Sequence, residues 1–193
     1  MTFIIATILQ KAYSDQELNI LLKSDSEAAI EWMFKRYYAF LCQVVYKIIP
    51  KGEVAEDIIQ ELFADLWRKR GQLEFTGSIQ GYLRRAAVNK TLNYIRDNKF
   101  RFEEEEQIAE MPSDHSPAGA LVEMTELQEA IDKAVDALPE RCRVVFALSR
   151  FEQFSHQEIA QQLGISVKTV ENQITKALRF LRDELGPYIK TDS

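Results

Sequence analysis

Lys168, Asn172, Thr175 and Arg179 recur three or four residues apart in VKTVENQITKALRFLRDEL, with Thr169 and Lys176 beside them. On a helix turning about 100° per residue these side chains share one face. Their chemistry is that of reading a DNA groove. An asparagine amide can bond adenine at two points, arginine and lysine favour guanine or phosphate, and threonine suits either. Across the same helix Val170, Ile174, Ala177, Leu178 and Leu181 form an apolar stripe that is expected to be buried. A polar face alone would fit any solvated helical hairpin, so the frame around it decides the reading.

That frame is written in the preceding residues. Ser155 and Glu158 have the spacing of a capping box, in which hydroxyl and carboxylate each satisfy a free backbone donor at a helix start. Ile159 and Leu163 supply apolar contacts, and Ala160 leaves room for a close neighbour. Gly164 suits the positive φ of a tight turn after a helix, and Ser166 caps the helix that follows. Cap, small residue, turn glycine and second cap, in this order, spell a helix-turn-helix with the polar face on its second helix.

The segment EVAEDIIQELFADLWRKR, residues 53 to 70, is a second amphipathic helix. Its apolar positions, from Val54 to Trp67, cover about 220°, wider than the ~100° stripe one core requires, so one edge is left for a partner. The remaining arc holds Asp57, Gln60, Glu61 and Asp65. Carboxylates spaced by four could form a di-metal site, but such sites draw histidines from a facing helix and this half of the chain has none. Next comes a basic block in which Phe75 and Tyr82 are interleaved with Arg84, Arg85, Asn89, Lys90, Asn93 and Arg96. Cations, amides and aromatics near glycine breaks suit an unpaired nucleic-acid strand. The competing reading makes Tyr82, Leu83, Val88 and Leu92 core and the arginines mere solubilising groups.

The 193 residues carry a net charge of −6, which by itself argues against nucleic acid. Its distribution does not. Residues 66 to 101 hold 9 basic and 2 acidic side chains, whereas residues 102 to 132 hold 10 acids and no base. Two such blocks meet different partners. Cys42 and Cys142 have no nearby cysteine, and His115 and His156 stand in unrelated contexts, so neither a zinc site nor a disulfide framework is expected. The opening MTFIIATILQ lacks a basic start and is half the length of a spanning helix, so it is expected to be neither signal peptide nor anchor.

Glycine and proline number only 7 and 5, and no stretch alternates over a strand length. The spacing predicts helices near 15–23, 26–49, 53–70, 78–98, 120–136, 139–151, 156–163 and 167–184. KFRFEEEEQIAEMPSDHSPAG, residues 99 to 119, reads as a flexible acidic linker between two small helical domains.

Together these pieces resemble a bacterial RNA polymerase sigma factor of the extracytoplasmic-function (ECF) group, from about residue 24 to 184. AEDIIQELFADLWRKR, YLRRAAVNKTLNYIR, ALPERCRVVFAL and the helix-turn-helix carry the resemblance by their order and spacing. It implies an all-α protein with sigma domain 2 over residues 1–98, a linker over 99–119 and sigma domain 4 over 120–193. It implies a cytoplasmic transcription initiation factor without metal, cofactor or enzymatic activity, monomeric when free, that recruits core RNA polymerase to promoters. Asp57, Gln60, Glu61, Phe63 and Trp67 would then meet the polymerase clamp. Phe75, Ser78, Arg84, Arg85, Asn89, Lys90, Asn93 and Arg96 would meet the minus-ten element, as duplex and as melted strand with a flipped base. Lys168, Thr169, Asn172, Thr175, Lys176 and Arg179 would meet the minus-thirty-five element.

Tyr82 stands where tryptophan is common in the family, and the loop before it is short, so which loop residue receives the flipped base is left open. An anti-sigma protein is expected to act on the two domains or their linker. Glu103, Glu104, Glu105 and Glu106 would stand in for phosphates along the RNA path of the assembled polymerase. Two other classes compete. A stand-alone regulator would bind operators as a dimer, but no dimer helix is evident; an enzyme would need a nucleophile with its base, a phosphate loop or a metal cluster, and none is evident.

Overall fold

The helix starts at Ser14, Asp25, Ser155 and Ser166 carry local side-chain caps, and the computed structural model, which describes residues 13–98 and 123–188, places helices where those signals fall. α1 (Asp15–Ser24) opens on a capping box: the Ser14 hydroxyl accepts the Glu17 N–H at 3.2 Å, and the Glu17 carboxylate accepts the Ser14 N–H at 2.9 Å. Asp25 is the single residue between this helix and α2 (Ser26–Ile48). Its N–H donates to the Leu21 carbonyl at 2.7 Å while its carboxylate accepts the Ala28 N–H at 3.1 Å, so one residue closes one helix and opens the next. A three-residue connection leads into α3 (Gly52–Lys69), which places Glu53 in its first turn and Arg68 and Lys69 in its last, as the helix dipole favours. One 3₁₀ turn (Arg70–Gln72) and a short loop precede α4 (Ile79–Asp97).

The second group comprises α5 (Glu123–Asp136), α6 (Glu140–Arg150), α7 (His156–Leu163), α8 (Val167–Leu185) and a terminal 3₁₀ turn (Gly186–Tyr188). No strand occurs among the described residues, so the fold is all-α. The chain divides into two compact units between Tyr94 and Ile95, within the last turn of α4. The proposed linker with its four consecutive glutamates, and the apolar decapeptide at the start, lie outside the described residues.

The first unit is built around Leu18 of α1, Met33 and Leu41 of α2, Ile59 and Leu62 of α3, and Ile79 and Leu83 of α4, all fully buried. Each such side chain contributes about 1.5–3 kcal/mol relative to exposure. In the second unit α6 buries seven consecutive residues, Cys142 to Leu148, and packs Cys142 and Phe146 with Ala134, Leu138, Ala177 and Leu181. Arg143 lies within that buried run. Its guanidinium donates to the carbonyl of Asp136, the last residue of α5, where a cation meets the negative end of the helix.

The expected stripe on α8 needs one correction. Val170, Ile174, Ala177 and Leu181 are buried, but Leu178 is 40% exposed. It lies about 70° from the centre of the other four, at the edge of the arc that α6 and α7 cover.

Between α7 and α8, Gly164 has φ 67° and ψ 33°, and a Cβ built on it would meet nothing within 4 Å. Its requirement is therefore conformational and not steric crowding. Gly164→Ala should lower stability in urea unfolding by about 1 kcal/mol, and Gly164→Asn by less, because asparagine tolerates the left-handed region. An alanine variant as stable as the parent would show that the turn does not depend on this backbone state.

Candidate nucleic-acid and partner interfaces

The helix-turn-helix is held by hydrogen bonds at three points. Ser155 accepts the Glu158 N–H at 3.2 Å, and Glu158 accepts the Ser155 N–H at 2.8 Å and its hydroxyl at 2.7 Å. Those donations hold the Glu158 carboxyl below its ordinary range. After Gly164 the Ile165 N–H reaches back to the Ala160 carbonyl at 3.0 Å, and the Ser166 hydroxyl accepts the Thr169 N–H at 3.0 Å. α8 is thereby fixed at its first turn, and its polar face is presented to solvent.

On that face the six candidate residues are not equivalent. The Thr169 hydroxyl is shared with Ser166 at 2.8 Å, and the Thr175 hydroxyl turns back to the Glu171 carbonyl at 2.9 Å. Lys168 pairs with Glu171 at 3.3 Å, and Lys176 is half-buried. Asn172 and Arg179 are exposed, with no hydrogen-bond partner among the described residues. They are the groups available to an incoming base edge.

The strip on α3 is similarly uneven. Asp57, Gln60 and Glu61 are exposed as expected. Phe63 is a correction: it is buried, its ring edge-on to Phe34 at 5.0 Å, because its angular position faces α2 and not the polar strip. Trp67 is 42% exposed and lies under the Arg70 guanidinium at 4.6 Å. Phe34, Phe63 and Trp67 line a shallow apolar groove of about 510 Å³ between α2 and α3, with Glu31 and Arg68 at its rim.

The basic block separates most clearly into surface and core. Phe75, expected to face a nucleic-acid strand, is only 6% exposed; its ring packs edge-on against Tyr82 at 4.8 Å. Tyr82, for which a core position was open, is instead 46% exposed, whereas Leu83 is fully buried. Ser78 serves as a helix cap, accepting the Gly81 N–H at 3.2 Å on its hydroxyl and the Tyr82 N–H at 2.9 Å on its carbonyl. Tyr82, Arg85, Asn89, Asn93 and Arg96 are all exposed and fall within an arc of about 80° on α4. Arg84 lies off that arc and is half-buried.

Lys90 also lies off it, and its charge is already engaged. Its ammonium meets Asp65 at 2.8 Å and Glu61 at 3.2 Å, tying α4 to α3. Burial pulls the Lys90 pKa down, but the hydrogen bonds to the two carboxylates more than reverse this and leave it raised. Asp65 is lowered, chiefly by the hydrogen bond from Lys90, with Arg68 adding to it.

The helix expected near 15–23 is present as α1, but its contacts with the loop before α4 were not foreseen. Asn19 donates from its amide to the Phe75 carbonyl at 2.8 Å and accepts the Phe75 N–H at 3.1 Å. Asp15 accepts the Ile79 N–H at 3.2 Å, and Lys23 pairs with Glu74 at 3.0 Å. The only sequence signal was the i, i+4, i+8 spacing of these polar residues, which names no partner. Among the described residues no group of three or more His, Cys, Asp or Glu side chains is placed to hold a metal, and no helix is long and apolar enough to cross a membrane.

Lys90→Met keeps the stem and removes the charge, so stability at pH 7 should fall by about 1 kcal/mol or less, given partial exposure of the pair. A lowered carboxylate stabilises fully above its ordinary value of 3.8, and that contribution is lost as pH falls through its folded pKa. The difference between parent and variant should therefore shrink below about pH 3.8 in acid-unfolding curves. A difference that persists undiminished in acid would remove the ion pair as its cause.

Comparison with known proteins places the chain in a family. The family described as Sigma-70 region 2 matches residues 33–101, and Sigma-70, region 4 matches residues 128–181; between them they span well over half of the chain. The ECF RNA polymerase sigma-E factor of Escherichia coli K12 is 24% identical over 191 residues, covering 94% of this chain and 100% of that protein. The RNA polymerase sigma-H factor of Pseudomonas aeruginosa is 23% identical over 186 residues, covering 91% and 96%. A solved structure of CnrH in complex with the cytosolic domain of CnrY aligns with 93% of this chain and 99% of that chain at 23% identity and a TM-score of 0.45. With regions 2 and 4 in order, the chain belongs to the sigma-70 family, in its extracytoplasmic-function group, and is a transcription initiation factor that directs RNA polymerase to promoters.

Proposed function

We propose that residues 1–98 work as sigma domain 2, that 99–119 link the domains, and that 120–193 work as sigma domain 4. α3 engages the polymerase clamp through Asp57, Gln60 and Glu61, with Trp67 at the apolar edge of the same surface. The arc of Tyr82, Arg85, Asn89, Asn93 and Arg96 meets the minus-ten element as its strands part, where aromatic stacking and phosphate neutralisation act together. α8 enters the major groove of the minus-thirty-five element, with Asn172 and Arg179 reading bases and Lys168 and Lys176 holding phosphates.

The observation that carries this reading is the capped turn of the second unit. Ser155, Glu158, Gly164 and Ser166 fix α8 so that Asn172 and Arg179 point outward without an intramolecular partner among the described residues. The protein acts as a single copy, in the cytoplasm with core polymerase, and performs no catalysis of its own. An anti-sigma protein is a further partner in this reading, competing for one of the two domains.

Run-off transcription with core polymerase tests the whole proposal. Asn172→Ala or Arg179→Ala should cost about 1–3 kcal/mol in promoter affinity and relax preference at particular upstream positions. Lys168→Ala should weaken all promoters alike and reduce the salt dependence. Uniform loss from all three variants would remove the base-reading role.

The clamp surface is tested separately. Asp57→Ala combined with Gln60→Ala leaves the Lys90 ion pairs intact, so thermal unfolding should change little while association with core polymerase falls by about tenfold or more. Unaltered association would exclude this face of α3.

A further inference from the structure

The loop from Leu73 to Ser78 joins the 3₁₀ turn to α4 and carries no regular backbone hydrogen bonding of its own. What fixes it is α1, which lies before residue 33, where the match to Sigma-70 region 2 begins. Asp15, Asn19 and Lys23 are spaced by four and fall within an arc of about 80° on that helix. Leu18 and Leu22 anchor the helix in the core. The three polar residues take hold of Ile79, Phe75 and Glu74 in turn.

We propose that Asn19 is a positioning residue for promoter opening: its two hydrogen bonds to Phe75 preset the loop that receives the unpaired minus-ten strand. This rests on the reading above that the loop and the Tyr82 face meet that strand. The chemistry is specific to asparagine at this length. A part-buried backbone N–H and C=O on one residue need an acceptor and a donor side by side, and a primary amide supplies both. Phe75 is thereby held with its ring inward against Tyr82, while Thr76, Gly77 and Ser78 stay exposed as an ordered arc. Gly77 sits there at φ 92°, a left-handed backbone state that glycine adopts without steric cost. The entropy of ordering the loop is then lost on folding and not during strand capture, which is the advantage of a preformed site.

The test uses the full chain with Asn19→Leu, which removes both hydrogen bonds at similar volume, and Asn19→Asp, which keeps the acceptor alone. In the free protein, exchange of the Phe75 amide hydrogen should accelerate by about tenfold in Asn19→Leu, the scale of one lost hydrogen-bonded contact. Asn19→Asp should exchange close to the parent rate. With core polymerase, association should stay within about twofold of the parent, because the clamp face of α3 is untouched. Opening of a duplex promoter, read by permanganate reactivity of minus-ten thymines, should fall by about tenfold in Asn19→Leu, with Asn19→Asp between. On a template already unpaired over the minus-ten element, transcription should recover while preference for the cognate bases remains reduced.

Tyr82→Ala runs beside these variants. If it leaves minus-ten preference unaltered, the reading of this surface as the promoter face fails. If Tyr82→Ala impairs that preference and the Asn19 variants do not, the positioning role is overturned. Equal losses of association, thermal stability and opening would likewise overturn it, since they would mark Asn19 as a general fold residue.

Discussion

An eight-residue helix such as α7 does not hold itself together in water, because nucleation fixes several dihedrals for each early hydrogen bond. It persists because both of its ends are satisfied by neighbours in sequence, Ser155 and Glu158 at the start and the left-handed Gly164 at the stop. The direction of α8 follows from that turn, and with it the orientation of every side chain on the face proposed to meet DNA. The proposed recognition surface thus depends on a serine, a glutamate and a glycine that need never touch a base.

The same dependence on pinned ends runs through the first unit in a different form. α1 and α2 share Asp25 as stop and start, so the direction of one is coupled to the other with no loop to absorb error. The loop before α4 has such a local device only at its end, where Ser78 caps the helix. Its middle is held from α1, through an asparagine that completes the backbone hydrogen bonding of Phe75. A polar backbone segment next to a core must find partners somewhere, and here a helix far away in sequence provides them.

Charge on this protein is divided by geometry as well as by sequence block. Lys90 belongs to the basic run, yet the carboxylates of Glu61 and Asp65 engage it, and it joins the helix proposed to meet polymerase to the helix proposed to meet DNA. On the exposed arc of α4 the basic side chains are Arg85 and Arg96, the latter 3.9 Å from Asp97, beside Tyr82 and two asparagines. That is a narrower and more aromatic surface than a count of basic residues describes.

The helices, the two capping devices of the helix-turn-helix and the face that α8 presents were legible in the amino-acid order, because each rests on contacts three or four residues apart. The apolar width of α3 likewise announced an exposed edge, which Trp67 occupies. Only the tertiary structure decided that Phe75 turns inward and Tyr82 outward, that Phe63 faces α2, that Leu178 falls at the edge of its stripe, and that Lys90 is paired. Asn19 and Phe75 are 56 residues apart, and Asp15 and Ile79 are 64 apart. Periodicity fixes which way a side chain points from its own helix, but the identity of what it meets depends on how the helices pack against one another.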